Sequence, residues 1–256
     1  MSDPSAAIVL IGDELLSGRT RDINLQQIAQ FLAPTGIPVK ETRIVSDEQA
    51  DIVAAVNALR ASYTYVFTTG GIGPTHDDIT ADAIAAAFGV GISKHPDVMA
   101  DLTKRYAAME TDFTEARQRM ARIPHGASLI ANPVSGAPGF QMENVFTLAG
   151  VPAIVRGMLE DVGHRLEGGD VIQSITIRGK GLREGDIAEA LGQLSEDMAG
   201  VSFGSYPWFR SLEDSGVQVV ARTTSADSLV HAEKEICQLM RGVGVEPEPI
   251  NGSAET

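Results

Sequence analysis

The sequence predicts an α/β protein in two parts. A three-layer domain on a parallel sheet is expected over residues 1–167, a small α+β domain over 168–246, and a polar tail over 247–256. Three observations predict this. Short apolar runs alternate with helical apolar patterns through the first half, as serial βα units require. A long glycine-rich stretch, Gly70-Gly71-Ile72-Gly73-Pro74-Thr75-His76-Asp77-Asp78-Ile79-Thr80, sits between an apolar run and an alanine-rich helical pattern. The patterning then changes after Glu167-Gly168-Gly169-Asp170, a short polar segment that suits a domain boundary.

Residues 6–11 read Ala-Ala-Ile-Val-Leu-Ile, a short continuous apolar run typical of a buried strand. Gly12-Asp13-Glu14 follows at its carboxyl end, the edge at which open α/β sheets bind ligands. Asp13 and Glu14 are therefore site candidates, with solvated loop charge as the competing reading. Residues 24–33 are expected to be helical, with Leu25, Ile28 and Leu32 on one face and Asp22 or Asn24 as the cap. Residues 39–45 make a second strand. Ser46-Asp47-Glu48 opens the next helix, with Ile52, Val56 and Leu59 in register. Asp47 is either its N-cap or a site residue at a strand's carboxyl end. Residues 63–69 form a third strand, which enters the glycine stretch. Right-handed crossovers between such units leave helices on both sheet faces.

The glycine stretch carries the chemistry. Glycine permits positive φ and lets backbone N–H groups approach a ligand. A helix N-terminus adds free donors and partial positive charge. Together they favour an anion, most often phosphate, which Gly70, Gly71, Gly73 and Thr75 would hold. Asp77 and Asp78 would repel phosphate directly. They suit a divalent cation bridging carboxylate and phosphate, or a base acting on a nucleophile. The competing reading is capping of the following helix by Asp77, Asp78 or Thr80.

Residues 93–122 are predicted helical, opened by His95-Pro96-Asp97 and carrying Lys104, Arg105, Arg117, Arg119 and Arg122. These cations either gather near a phosphate or solvate a helix face. A second glycine and proline loop follows, Asn132-Pro133-Val134-Ser135-Gly136-Ala137-Pro138-Gly139. A strand over 144–148 and a helix over 153–166 complete the first domain. Beyond the boundary, strands are expected near 171–178, 201–206, 216–222 and 242–246. Helices are marked by Ile187, Leu191, Leu194 and Met198, and by Leu229, Ala232, Ile236 and Leu239. The order β-α-β-β-α-β is the ferredoxin-like split arrangement. Trp208 and Phe209 make either an aromatic interface or ordinary core.

Composition sets the limits. At 256 residues and 43% apolar content, one large or two modest globular domains fit. A net charge of −14 argues against general nucleic-acid binding and against an anionic membrane surface. The single Cys237 rules out an internal disulfide and suits a reducing cytoplasm. It sits in a helical apolar pattern, as filler rather than nucleophile. No apolar run approaches a membrane span, and the first apolar run is too short and too acidic in its flank for a signal peptide.

The stretch from Gly70 to Thr80 resembles the signature loop of molybdopterin-binding, MoaB/Mog-like domains. It is closer still to the form in competence/damage-inducible protein A and in the N-terminal part of FAD synthases. Gly12-Asp13-Glu14-Leu15-Leu16, Ile123-Pro124-His125-Gly126-Ala127, Asn132, Ala137-Pro138-Gly139 and Ser205-Tyr206-Pro207 extend the resemblance over residues 5–246. It implies a small phosphorylated ligand, a nucleotide or a pterin such as molybdopterin, and a homo-oligomer. If the protein is catalytic, it implies a divalent metal such as Mg²⁺ and pyrophosphatase action on a dinucleotide such as ADP-ribose. The expected catalytic residues are Asp78 and Asp47, and the expected metal ligands Asp78 and Asp77. The expected ligand contacts are Gly70, Gly71, Gly73, Thr75, Thr80, Asp13, Asn24, Ser135 and Gly136. Deamidase and FAD-synthesising modules of related proteins are not expected after residue 246, so neither activity is carried over. One junction departs from the family pattern. Leu148-Ala149-Gly150-Val151-Pro152-Ala153-Ile154 places Ile154 where relatives carry glutamate, and isoleucine can neither bind a metal nor move a proton. Binding without chemistry, or a regulatory oligomer, are the alternatives this implies.

Overall fold

The protein is seen in a computed structural model that describes residues 3–250 apart from residue 212. It divides into two compact units, the first ending at Asp170 and the second beginning at Val171. The first unit runs β1 (Ala6–Ile11), α1 (Asp13–Leu16), α2 (Asn24–Leu32), β2 (Val39–Val45), α3 (Gln49–Arg60), β3 (Tyr65–Thr69) and α4 (Thr80–Phe88). It continues with β4 (Ile92–Lys94), α5 (Pro96–Ala108), α6 (Glu115–Gln118), β5 (Arg122–Pro124), β6 (Ser128–Ile130), β7 (Gly139–Met142), β8 (Val145–Leu148) and α7 (Pro152–Val162).

Its main sheet has the order β2-β1-β3-β8-β7-β6. The first four strands are parallel, and β7 and β6 run antiparallel. The sheet is thus mostly rather than wholly parallel. The reversal occurs in a tight turn at Glu143 and Asn144, where Glu143 has φ of +49° and Met142 pairs with Val145. Alternate residues of the strands feed two separate cores. Val9, Ile11 and Val66 pack with Ile52 and Val56 of α3 and Ile84 of α4. On the opposite face Ile8, Leu10 and Phe67 pack with Ile28 of α2 and Met158 of α7. The Phe67 and Phe146 rings stack with centroids 5.1 Å apart. Burial on both faces explains why β1 reads as an uninterrupted apolar run.

The second unit runs β9 (Gln173–Lys180), α8 (Glu184–Asp197), β10 (Ser202–Phe209), β11 (Ser215–Thr223), α9 (Ala226–Gly242) and β12 (Pro247–Ile250). Its sheet order is β10-β11-β9-β12, antiparallel throughout. That is the ferredoxin-like arrangement. Ile177, Val217 and Val219 of the sheet pack against Ile187 of α8 and Ile236 and Met240 of α9.

Several boundaries differ from the sequence expectation. The last strand lies at Pro247–Ile250 rather than 242–246, because α9 runs on to Gly242. Residues 247–250 therefore belong to the sheet, while 251–256 lie outside the described residues. The segment 93–122 is not one helix. α5 ends at Ala108, and Glu110 follows with φ of +50°, which breaks the helical path. Residues 168–170 pack with the first unit, where the N–H of Gly169 donates to the Thr35 carbonyl at 3.0 Å. Phe209 is 72% exposed, and Trp208 lies half-buried under the Arg178 guanidinium. Cys237 is half-buried in α9, and burial pushes its thiol up.

Candidate functional site

The parallel register sets out the site. Ile11 is level with Val45, Leu10 with Thr69, and Thr69 with Leu148. The four segments that leave these strands, at Gly12, Ser46, Gly70 and Ala149, therefore emerge along one edge of the sheet. Between them lies a cleft of about 630 Å³. Its walls include Gly70, Gly71, Gly73, Thr75, Asp77 and Asp78 of the glycine loop, Asp47 after β2, and Ser135 of the second glycine loop. Glu14, Met120, Asn132 and the run Ala149, Gly150, Val151, Pro152 and Ile154 complete it.

The loop's own bonds explain its composition. Thr80 opens α4 without capping it by side chain. Its hydroxyl instead donates to the Gly70 carbonyl at 2.9 Å, and its N–H donates to the Gly71 carbonyl at 2.9 Å. A Cβ on Gly71 would lie 2.2 Å from the Thr80 hydroxyl, and one on Gly70 would lie 2.2 Å from the Ile11 carbonyl. Both glycines also hold positive φ, at +67° and +102°. Asp78 accepts the Thr75 N–H at 2.7 Å and the Thr75 hydroxyl on the same oxygen. A Cβ on Gly73 would meet that oxygen at 2.6 Å. Neither aspartate caps α4, so the capping reading fails. Asp78 shapes the loop, whereas Asp77 and His76 are exposed.

Asp47 is not a helix cap either. α3 starts at Gln49, and the Asp47 carboxylate instead accepts the backbone N–H of Asp13 at 2.9 Å. Burial pushes its carboxyl above the usual range. The Asp13 N–H opposes this, while the charges of Asp13, Glu14 and Asp77 add to it. Asp13 contributes that N–H rather than a cleft-lining carboxylate. Among the described residues no three His, Cys, Asp or Glu side chains converge as a ready-made metal position.

A sequence profile described as "Probable molybdopterin binding domain" matches residues 7–168, and with them this whole edge. The chain belongs to the molybdopterin-binding domain family. A second profile, "FAD synthase, middle domain", matches residues 177–248. A CinA-like protein of Gemmatimonas aurantiaca is 35% identical over 212 residues, covering 78% of this chain and 50% of that protein. One from Parasynechococcus marenigrum is 31% identical over 238 residues, covering 89% and 56%. The chain thus spans about half the length of these curated relatives. The crystal structure of a CinA protein of unknown function from Thermoplasma acidophilum is 31% identical. It covers 64% of this chain and 98% of its own, with a TM-score of 0.59.

Other expected residues of the molybdopterin-binding domain stand around the cleft rather than in it. Thr80 lies beneath the loop. Gly136, with φ of +82°, does not line the cleft; a Cβ there would meet the Arg105 side chain at 2.8 Å. Asn24 lines a smaller adjoining cavity, and its Nδ2 donates to the Gly150 carbonyl at 2.8 Å. The N-cap position of α2 is Ile23, and the Asp22 carboxylate just before it accepts the N–H groups of Asn24 and Leu25. The basic segment divides its labour. Arg119 donates to the Asp78 carbonyl at 3.2 Å, Arg105 to the Val134 carbonyl at 2.6 Å, and Arg122 forks onto Asp82 at the start of α4. These cations brace the loops. Lys104 pairs with Asp101 in solvent, and Arg117 lies over Tyr106.

Sequence reading missed Asn132 and Met120 as site residues. Asn132 is 8% exposed and fully bonded: Oδ1 accepts from Val134 and Ser135, and Nδ2 donates to the Ala137 carbonyl. An asparagine opening a glycine and proline loop was the available signal. Met120 gave none, because its place in the cleft depends on the unpredicted break after α5. No described helix is long and apolar enough to cross a membrane.

Proposed function

We propose that the cleft binds a phosphorylated nucleotide or pterin and, with a divalent cation, hydrolyses a dinucleotide such as ADP-ribose. The supporting observation is the union of positive-φ glycine backbone, the N-terminus of α4 and several carboxylates at one sheet edge. Backbone N–H groups of Gly70, Gly71, Ile72 and Gly73 would take phosphate oxygens. Asp77 and Asp78 would offer hard oxygen donors to an ion such as Mg²⁺, and a ligand phosphate would complete the set. A bound cation supplies offset of phosphate charge and a lowered water pKa. Asp78 fixes the loop through Thr75. Asp47, its carboxyl raised by burial, would take the proton. We further propose a homo-oligomer working in the cytoplasm, which light scattering and fractionation test.

The test is turnover of ADP-ribose and FAD with Mg²⁺, Mn²⁺ or Co²⁺, with Asp78→Ala as control. Metal-dependent cleavage that disappears in the variant is the expected result. One observation favours a second reading: Ile154, in the cleft wall where the family resemblance implies a glutamate, is aliphatic. A ligand-induced rise in unfolding temperature without turnover in any metal would select a non-catalytic binding protein.

A further inference from the structure

We infer that the cleft has a second compartment, which takes an exocyclic amino group of the ligand's heterocycle through Asn24. The inference deepens the binding reading above and rests on it. A cavity of about 70 Å³ adjoins the main cleft and shares Ile11, Glu14, Gly70, Gly150 and Pro152 with it. Asn24 lines this compartment, at the first residue of α2, and is 5% exposed.

The orientation of its amide is fixed by a neighbour. The Gly150 carbonyl can only accept, so the atom 2.8 Å from it must be Nδ2. Oδ1 is then buried with no hydrogen-bond partner. An orphaned buried acceptor is costly, and native proteins rarely keep one without a use. The nearby Asn132 shows the contrast, since both of its amide atoms are bonded.

The same compartment is lined by Glu14 and Asp22. Asp22 already accepts two backbone N–H groups, so its carboxylate is held in place. Arg21, Thr20 and Thr69 line it as well, so the requirement is local: a ligand group that meets the Asn24 Oδ1 must donate. The volume is too small for a whole ring system but admits an amino substituent. Gly70 and Gly150, which lack side chains, line both it and the main cleft; a Cβ on Gly150 would stand 3.4 Å from the Gly70 Cα. A heterocycle lying over these two glycines could reach Asn24 with its amino group while its phosphate meets the loop. An aminopurine and a pterin both carry such a group.

Matched probes separate the two sources. ¹⁵N-labelled protein is titrated with adenosine against inosine, and with pterin against lumazine, each pair differing at the exocyclic amino position. The Asn24 side-chain amide is the reporter. Expected is a shift of that signal and affinity at least about fivefold higher for the amino member of one pair. Asn24→Ala, with folding verified by its unfolding transition, should abolish that preference. Equal affinity within both pairs, or no response at Asn24 to any probe, overturns the inference and leaves an ordered water as the occupant. Pyrophosphate is titrated separately: its failure to shift residues 70–75 counts against the phosphate reading alone.

Discussion

The carboxylate of Asp78 reaches back three residues to the backbone N–H of Thr75, at 2.7 Å, and also takes the Thr75 hydroxyl. The aspartate expected to serve chemistry is therefore also the clasp of the glycine loop. Asp78→Ala leaves both donors without this acceptor. It should cost about 1 kcal/mol of stability and more than tenfold in affinity for a phosphorylated ligand. Asp78→Asn keeps an acceptor oxygen and loses the charge. If the charge serves catalysis, Asp78→Asn binds ligand close to wild type but turns over more slowly. Binding and turnover measured on both variants separate the two roles, and wild-type behaviour of both would remove Asp78 from the site.

Gly71 and Thr80 form a second tight pair. A Cβ at Gly71 would sit 2.2 Å from the Thr80 hydroxyl, at a φ of +67°. Gly71→Ala should therefore destabilise by about 1–3 kcal/mol, from strained backbone plus the clash. Part of that cost belongs to the hydroxyl. In a Thr80→Ala background the same change should cost measurably less, which chemical denaturation of the four proteins in a double-mutant cycle would read. Additive costs would mean that backbone strain alone excludes a side chain here.

Much of this was legible in the sequence because local chemistry and global fold agree. β1, β3 and the glycine loop announce themselves by apolar runs and punctuation, and the parallel register then brings their ends together. The antiparallel β6 and β7 were not legible: each is three or four residues long, and the turn at Glu143 and Asn144 lacks a strong turn pair. The competing capping readings of Asp47 and Thr80 fail for one physical reason. Each residue type caps helices in isolation, but here a loop from elsewhere in the chain offers a better partner. The arginines show the same limit. Sequence places these cations in one segment, and only the fold reveals which of them reach loop carbonyls.

Tyr65 ties the end of the first unit. Its hydroxyl accepts the Glu167 N–H at 2.8 Å and donates to the Glu167 carbonyl at 3.2 Å. Tyr65→Phe should lower stability by about 1 kcal/mol. Amide exchange at Glu167 should accelerate, while exchange in β3 stays slow. Unchanged exchange at Glu167 would mean that the backbone contact of Gly169 with Thr35 holds the segment without help.

The pH dependence of Asp47 gives the last prediction, and its sign follows from the direction of the shift. Burial, reinforced by the charges of Asp13, Glu14 and Asp77, raises the folded-state pKa above its ordinary value of 3.8. Folding then favours the protonated carboxyl. The stability this group contributes is complete below pH 3.8 and is lost as pH rises through the folded value. At pH 7, well above the ordinary value, the raised carboxyl is therefore a cost to folding. Asp47→Asn retains an acceptor for the Asp13 N–H and removes the charge, so it should unfold at a higher temperature than wild type at pH 7 when divalent cations are chelated. The advantage should shrink as pH falls toward 3.8 and vanish below it. A pH-independent difference would place its origin in packing rather than in charge. A variant less stable than wild type at pH 7 would show that the hydrogen bond from Asp13 outweighs the burial of the carboxylate.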